Sequence, residues 1–181
     1  QTSRKLIDDG YIGKPIGAVA HMACHGHEHW HPDPEFYYEE GGGPMLDMGP
    51  YYTTALINLL GPVKSVMGYS RKMFETRIIT SEKKYGKVIP VEADTHIAGV
   101  MEFECGVIGS ILMSFDVWRA ELPCIEIYGT QGTIQVPDPN AFGLPVRLSR
   151  GKSEYSEIPQ THIYSENSRG IGVADMAMAL R

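Results

Sequence analysis

A helical segment at residues 44–60 is followed by a series of short strand patterns, and this order restricts the fold class. Pro44 lies in the first helical turn, and Gly61-Pro62 ends the segment, which is the usual punctuation of a helix. Alternating apolar residues predict strands at 16–24, 63–74, 95–105, 107–118, 123–128 and 133–136. The junction at Cys105-Gly106 is short enough for a hairpin, so this part of the sheet should be antiparallel. We therefore predict one α+β domain.

Composition excludes several classes of protein. The chain has 181 residues, 43% of them hydrophobic and 21% charged, as expected for one globular domain. A net charge of −6 without a basic stripe argues against nucleic acid and against an anionic membrane surface. Every apolar run is interrupted before the ~18 residues that a membrane helix needs. Three separated cysteines without a C-x-x-C pair argue against a disulfide scaffold and predict a cytoplasmic protein with reduced thiols.

Both ends of the chain carry helical patterns. Residues 3–9 have the pattern of the last part of a helix that Gly10 ends, and a final helix is predicted from Ser168 onward, with Ile171, Ala174 and Met178 on one side. That second pattern continues to the last residue without a capping residue. We therefore expect the chain to be a piece of a longer protein.

Charge is distributed unevenly along the first half of the chain. No Lys or Arg occurs between Lys14 and Lys64, a stretch that contains six carboxylates and five histidines. The next stretch, from Lys64 to Lys87, contains seven Lys or Arg and two Glu. We interpret the first stretch as part of a functional site and the second as a solvated face.

The predicted helix at 44–60 carries two stripes. Its apolar stripe comprises Met45, Met48, Tyr52, Ala55, Leu56 and Leu59, which should face the core. A polar stripe comprises Asp47, Tyr51, Thr54 and Asn58. Asp47 and Tyr51 are candidate functional residues, since they follow three glycines that allow another group to approach the backbone closely. The alternative is that Asp47 only complements the helix dipole and that Tyr51 is a surface residue.

Four histidines alternate at positions 25, 27, 29 and 31. In an extended segment they would point to one side, as a metal site requires, but they would spread over ~20 Å, too far for one tetrahedral centre. Two of them with His96 or His162 remain a possible metal site, which would suit a metal-dependent hydrolase. We expect instead no metal and a polar loop over a substrate pocket, because aromatic faces and imidazoles suit a sugar or polyol.

Residues 41–51 read Gly-Gly-Gly-Pro-Met-Leu-Asp-Met-Gly-Pro-Tyr, which resembles the G-G-G-x-L-x-D-x-G-x-H helix of the glucose–fructose oxidoreductase, inositol dehydrogenase and rhizopine-catabolism (Gfo/Idh/MocA) family. Three further segments are similar in order: residues 6–17 resemble the opening of that family's second domain, residues 127–134 its late strand-turn-strand, and residues 167–170 with Asp175 its closing helix. The resemblance covers essentially the whole chain.

The resemblance implies a fold and a domain organisation. Residues 1–181 correspond to the C-terminal substrate-binding and oligomerisation domain, an open, mostly antiparallel sheet with helices on one face, similar to glyceraldehyde-phosphate dehydrogenase. In the family an N-terminal Rossmann domain binds NAD or NADP. Neither a G-x-G-x-x-G after a strand nor the family's E-K-P motif occurs here. We therefore expect no cofactor-binding residue in this chain and no hydride transfer by the chain alone.

The resemblance also implies an activity, NAD(P)-dependent oxidation or reduction of a sugar, cyclitol, polyol or dihydrodiol. Asp47 matches the family's catalytic Asp, and Tyr51 stands where the family commonly has a catalytic His. A phenol can donate a proton to a forming alkoxide, and the lysine of the Rossmann domain could equally fill that role. His31, Tyr37 and Tyr38, in the loop that borders the substrate in the family, are candidate substrate-binding residues, and Trp118 at a strand end is another.

Two predictions concern partners. The uncovered face of an open sheet must be buried somewhere, so we expect a homo-oligomer formed through that face, as in the family. The alternative to an enzyme is the same domain used as a non-catalytic ligand-binding or assembly module.

Overall fold

The computed structural model of the chain describes residues 1–166 and 169–181, and an eight-stranded sheet carries the fold. The strands are β1 Pro15–Ala23, β2 Val63–Arg71, β3 Thr76–Ile78, β4 Val88–Pro90, β5 His96–Phe103, β6 Ile108–Ser114, β7 Ile125–Gly129, β8 Gly132–Val136, β9 Val146–Arg150 and β10 Ser156–Ile158. The helices are α1 Thr2–Asp8, α2 Pro44–Asp47, α3 Gly49–Leu60 and α4 Ile171–Ala179. Among the described residues, no helix has both the length and the apolar character needed to cross a bilayer.

The sheet is open and mostly antiparallel, as predicted. Its strand order is β10-β9-β8-β7-β1-β6-β5-β2, and a separate ribbon pairs β3 with β4. β1 runs parallel to β6, and the other neighbours in the large sheet are antiparallel. The predicted hairpin joins β5 to β6 through Gly106, whose φ of 83° is one that glycine adopts without strain.

One face of the sheet is covered and the other is open. Inward side chains of β1, β5, β6 and β7 form the core with α1 and α3, whose buried residues are Leu6, Tyr52, Leu56, Leu59 and Leu60. The register places Met67 and Tyr69 of β2 beside Val100 and Ala98 on the opposite face. Met67 and Tyr69 are 74% and 81% exposed. The helices therefore cover one side only.

The helix predicted at 44–60 is interrupted, so the prediction of one continuous helix is wrong. α2 ends at Asp47, Met48 has φ −103°, and α3 starts at Gly49. Pro50 has no backbone N–H to donate to the carbonyl of Leu46, and its ring clashes with a carbonyl one turn back. The N–H of Tyr51 instead reaches the Met48 carbonyl at 3.1 Å. The break lies between Asp47 and Tyr51.

Several short elements were not predicted. β3, β4, β9 and β10 have three to five residues each, too few to show a clear alternation. α4 begins at Ile171, and none of its side chains is buried, so its predicted apolar side does not pack on the core. Ser168, the predicted start of this helix, and Asn167, part of the family-like segment, lie outside the described residues.

Candidate functional site

A cleft of about 520 Å³ lies where β1 ends, between the loop that follows β1 and the start of α3. We call it the Asp47 cleft. Its polar and aromatic lining includes His27, Trp30, Tyr37, Asp47, Tyr51 and Asp138. Asp47 and Tyr51, predicted from their spacing, thus line the same cleft although the helix is broken between them.

The Asp47 carboxylate faces an imidazole. Oδ2 of Asp47 is 3.5 Å from Nε2 of His27, and these side chains are 32% and 15% exposed. The His27 ring lies 4.3 Å from the Tyr37 ring and 4.7 Å from the Phe115 ring, centre to centre. His27 is therefore held by aromatic contacts in an orientation that presents Nε2 to Asp47.

The spacing of the histidines does not single out His27. Residues 15–63 contain no Lys or Arg, so within this stretch a basic partner of Asp47 has to be a histidine. His31 is closer to Asp47 in sequence than His27 is, so no signal in the sequence identifies His27.

Tyr51 lies at the outer side of the cleft, 38% exposed. The Arg169 guanidinium carbon is 5.8 Å from the centre of the Tyr51 ring, within the range of a cation–π contact. Nη2 of Arg169 also donates to Oδ1 of Asn140 at 2.6 Å, and Asn140 itself lines the cleft. The chain therefore places a cation of its own beside Tyr51, which the sequence pattern did not predict.

Tyr37 borders the cleft as a protonated phenol. Burial, and then the negative charge of Asp47, raise the pKa of the Tyr37 hydroxyl above its usual range. Burial likewise raises the pKa of the Cys24 thiol, another lining group. Both groups stay protonated near neutral pH, so Tyr37 can donate a hydrogen bond and Cys24 is a poor nucleophile.

Tyr38 and His31 lie behind the cleft. Tyr38 is fully buried, and its hydroxyl donates to the Glu28 carboxylate. Nδ1 of His31 accepts the N–H of Asp33 at 3.1 Å, and the His31 ring lies 5.4 Å from the Tyr37 ring. Neither side chain lines the Asp47 cleft in the described part of the structure. Tyr38 and His31 are therefore placed to support the loop and the position of Tyr37.

Trp118 lies in an adjoining cavity of about 780 Å³, which we call the Trp118 cavity. Its indole stacks on the His25 imidazole with the ring centres 3.3 Å apart. Arg77, only 5% exposed, forms part of the same wall and pairs with Glu28 at 3.2 Å and with Asp116. The wall of the Trp118 cavity thus includes a buried ion cluster. This cluster connects the histidine-rich loop, residues 24–43, to β3 and to the end of β6.

The comparisons with known proteins agree with this architecture. The family model described as "GFO/IDH/MocA C-terminal domain" matches residues 1–135 of the chain, which is most of its length. The chain belongs to this family. The proposed resemblance is therefore confirmed, and the helix break at Met48 occurs within the family-like segment.

The relatives of this Gfo/Idh/MocA domain are longer than the chain. It is 30% identical over 141 residues to a D-xylose dehydrogenase of Paenarthrobacter nicotinovorans, covering 72% of this chain and 35% of that protein. Its fold resembles an NAD binding oxidoreductase from Klebsiella pneumoniae, with a TM-score of 0.66, 18% identity, and coverage of 87% and 42%. It also resembles levoglucosan dehydrogenase in complex with NADH and levoglucosan, with a TM-score of 0.65, 17% identity, and coverage of 87% and 43%. The chain thus spans less than half of each relative.

Gly42 and Gly43 of this Gfo/Idh/MocA domain do not fit a dinucleotide pyrophosphate, and their N–H groups already donate to the carbonyls of Glu39 and Tyr37. A Cβ at Gly42 would lie 2.6 Å from the Phe36 carbonyl oxygen, and one at Gly43 would lie 2.6 Å from the Asp94 carbonyl oxygen. A pyrophosphate cradle needs free N–H donors in that space. These glycines instead admit carbonyl oxygens of the chain itself, so they serve packing.

The four alternating histidines diverge because their segment is a series of turns and not a strand. His25 contacts Trp118, His27 faces Asp47, and His31 contacts Trp30. Across residues 1–166 and 169–181, no three His, Cys, Asp or Glu side chains are grouped in a way that could hold a metal ion.

Ion pairs fasten the histidine-rich loop to the turn between β3 and β4. Nζ of Lys84 lies 2.5 Å from Glu35, Nζ of Lys87 lies 2.9 Å from Glu35, and Lys83 pairs with Asp33. Hydrogen bonds from Lys84 and Lys87 lower the pKa of Glu35 to about 2. These lysines keep much of their solvent exposure, as expected for a solvated face, whereas Arg77 in the same stretch is buried.

We expect Glu35→Gln to lower the free energy of unfolding by about 0.5–1 kcal/mol near neutral pH. Because the folded-state pKa is depressed, this stabilisation is complete above the ordinary Glu pKa and is lost as pH falls toward the folded-state value. The difference from wild type should therefore shrink between about pH 5 and pH 2. Urea unfolding at several pH values measures it. Glu39→Gln, outside these pairs, is the control, and a pH-independent difference would contradict the assignment.

Proposed function

We propose that this chain is the substrate-binding domain of an NAD(P)-dependent oxidoreductase that interconverts a CH–OH group and a carbonyl in a sugar, cyclitol or related polyol. The Asp47 cleft carries the proposal, because carboxylates, imidazoles and phenols line one space. Such a set both recognises hydroxyl groups and handles a proton. Relatives named D-xylose dehydrogenase and levoglucosan dehydrogenase support sugars as the substrate class.

The proposed reaction transfers a proton to or from the substrate oxygen at the reacting carbon. In the direction of reduction the carbonyl oxygen becomes an alkoxide, and we assign the proton donor to the Tyr51 hydroxyl. Asp47 accepts a hydrogen bond from the resulting hydroxyl, and His27, 3.5 Å away, holds the carboxylate in place. Tyr37 donates to a neighbouring substrate oxygen. Oxidation is the reverse sequence.

The hydride partner lies outside this chain in the proposal. A nicotinamide dinucleotide, bound by an N-terminal Rossmann domain, would supply the hydride acceptor or donor. The close packing around Gly42 and Gly43 supports this division of labour, since it leaves no cradle for a pyrophosphate there. The chain alone would then bind a sugar without converting it, and a lysine from the second domain could share the proton with Tyr51.

Tyr51→Phe tests the role of the phenol. In the full-length enzyme, assayed with D-xylose, D-glucose, levoglucosan and inositol, we expect kcat to fall about 100-fold because proton transfer loses its donor. Formation of reduced nicotinamide measures the rate. Tyr85→Phe, a distant exposed tyrosine, is the control. An unchanged kcat would remove Tyr51 from the mechanism, and sugar binding without any turnover in the wild type would favour the non-catalytic binding module.

We further propose that the open face of the sheet joins two copies of the chain. Met67, Tyr69 and Ile108 are 74%, 81% and 60% exposed, and an apolar sheet face of this kind is usually covered by a partner. Tyr69→Glu should weaken self-association at least about tenfold, since a buried unpaired charge costs more than 1.4 kcal/mol. Sedimentation equilibrium measures the change. Val173→Glu, at another exposed position on α4, is the control, and a monomeric wild-type protein would refute the proposal.

A further inference from the structure

The Trp118 cavity adjoins the Asp47 cleft, because Ala23, Cys24 and Ala120 line both. We propose that the Trp118 cavity is a second sugar subsite, which binds the non-reacting unit of a disaccharide while the reacting unit occupies the Asp47 cleft. This inference rests on the proposed function and extends it from single sugars to linked ones. With volumes of about 520 and 780 Å³, the two spaces together exceed the needs of one monosaccharide.

Trp118 provides a surface on which a sugar ring can stack. One face of its indole lies on the His25 imidazole, at 16° to it, while the side chain as a whole is 82% exposed. The second face is therefore open to a ligand, and C–H groups of a sugar ring pack well on such a face. Phe74, edge-on to His25 and 44% exposed, extends the apolar wall.

His25 provides a directed hydrogen-bond donor. Nη1 of Arg77 lies 3.2 Å from Nε2 of His25, and arginine can only donate, so Nε2 accepts this hydrogen bond. The ring proton is therefore on Nδ1. Nδ1 is buried and has no hydrogen-bond partner among the described residues, although buried donors are nearly always paired. Because Nδ1 is shielded in this conformation, a small shift of the His25 ring toward the cavity that it lines would let a hydroxyl oxygen of a bound sugar accept this hydrogen bond.

The charges around the cavity favour a neutral ligand. Arg77 is neutralised by Glu28 and Asp116, and Arg119 pairs with Glu121 at 3.1 Å. The Arg119 pair is exposed to solvent, whereas buried Arg77 faces two carboxylates, which leaves an excess of negative charge in the buried cluster. A phosphate group would be repelled there, whereas sugar hydroxyls would not. A second neutral sugar unit therefore fits better than the diphosphate of a nucleotide sugar.

The two tryptophans of the chain report on the two spaces separately, since Trp30 lines the Asp47 cleft and Trp118 lines the other cavity. In the Trp118→Phe variant the tryptophan fluorescence comes from Trp30, and in the Trp30→Phe variant it comes from Trp118. Each variant is titrated with D-xylose, xylobiose, D-glucose and cellobiose, and fluorescence is recorded. We expect Trp30 to respond to all four sugars and Trp118 only to the disaccharides.

The wild-type chain should bind the disaccharides about tenfold more tightly than the monosaccharides, given the extra stacking and hydrogen bond. Trp118→Ala should abolish this preference, whereas Tyr85→Ala, another highly exposed aromatic, should keep it. A responding Trp30 with a silent Trp118 and equal affinities would overturn the second subsite and leave the proposed function intact. If both tryptophans were silent toward every sugar, both proposals would be overturned. Tighter binding of UDP-glucose than of cellobiose would also overturn the assignment to a neutral sugar.

Discussion

Asp47→Asn should reduce kcat/KM of the full-length enzyme about 1,000-fold. The amide keeps the size of the carboxyl group but loses the charge, so it holds the substrate hydroxyl more weakly and presents a weaker acceptor to Nε2 of His27, 3.5 Å away. Steady-state formation of reduced nicotinamide measures the change. Asp138→Asn is a matched control, because Asp138 lines the same cleft and an amide oxygen can still accept the N–H of Asn140.

A double-mutant cycle shows whether Asp47 and His27 act together or independently. His27→Gln should lower kcat/KM by about tenfold in the wild type, but by much less in the Asp47→Asn background. The effects of substitutions at two residues in contact are not additive. A full tenfold loss in both backgrounds would show that His27 acts without Asp47. An Asp47→Asn enzyme as active as Asp138→Asn would remove the carboxylate from the proposed mechanism.

Local patterns were sufficient to predict most of the fold. The alternation of apolar and polar residues predicted the positions of β1, β5, β6, β7 and β8 to within a few residues. It did so because each of these strands packs one face on the core and leaves the other face exposed or partly covered. The ribbon of β3 and β4 was not predicted, because its strands have three residues each and depend on contacts with the histidine-rich loop. The interruption at Met48 could have been predicted from Pro50, which cannot continue the hydrogen bonds of a helix that began at Pro44.

The site was only partly predictable, because some of its contacts join residues that are far apart in the sequence. Asp47 and Tyr51 were predicted from spacing within one segment, and both line the cleft. His27 reaches Asp47 from a loop whose turns cancel the apparent alternation of its histidines. Arg77 belongs to a basic stretch, yet it is buried because its carboxylate partners come from positions 28 and 116. No local pattern reveals such a pairing.

Arg77→Met should destabilise the protein by about 3–5 kcal/mol, the largest effect on stability that we expect from a single substitution. It would leave the carboxylates of Glu28 and Asp116, each less than a tenth exposed, without their counterion. It would also free the Phe115 carbonyl, which accepts from Nη2 at 2.8 Å. For a domain of this size the melting temperature should fall by about 10 °C. Thermal unfolding by circular dichroism measures the change.

The origin of that loss can be tested by removing the charges that Arg77 compensates. In an Arg77→Met background, Glu28→Gln with Asp116→Asn should recover more than half of the lost stability, because neutral amides cost less to bury than unpaired carboxylates. Arg71→Met, at an exposed position on β2, should change stability by less than about 0.5 kcal/mol. If the amide substitutions gave no recovery, the role of Arg77 would be packing against Phe74 and Tyr38. Recovery would show instead that a buried charge balance fixes the histidine-rich loop, and with it His27 and Trp118, against the sheet.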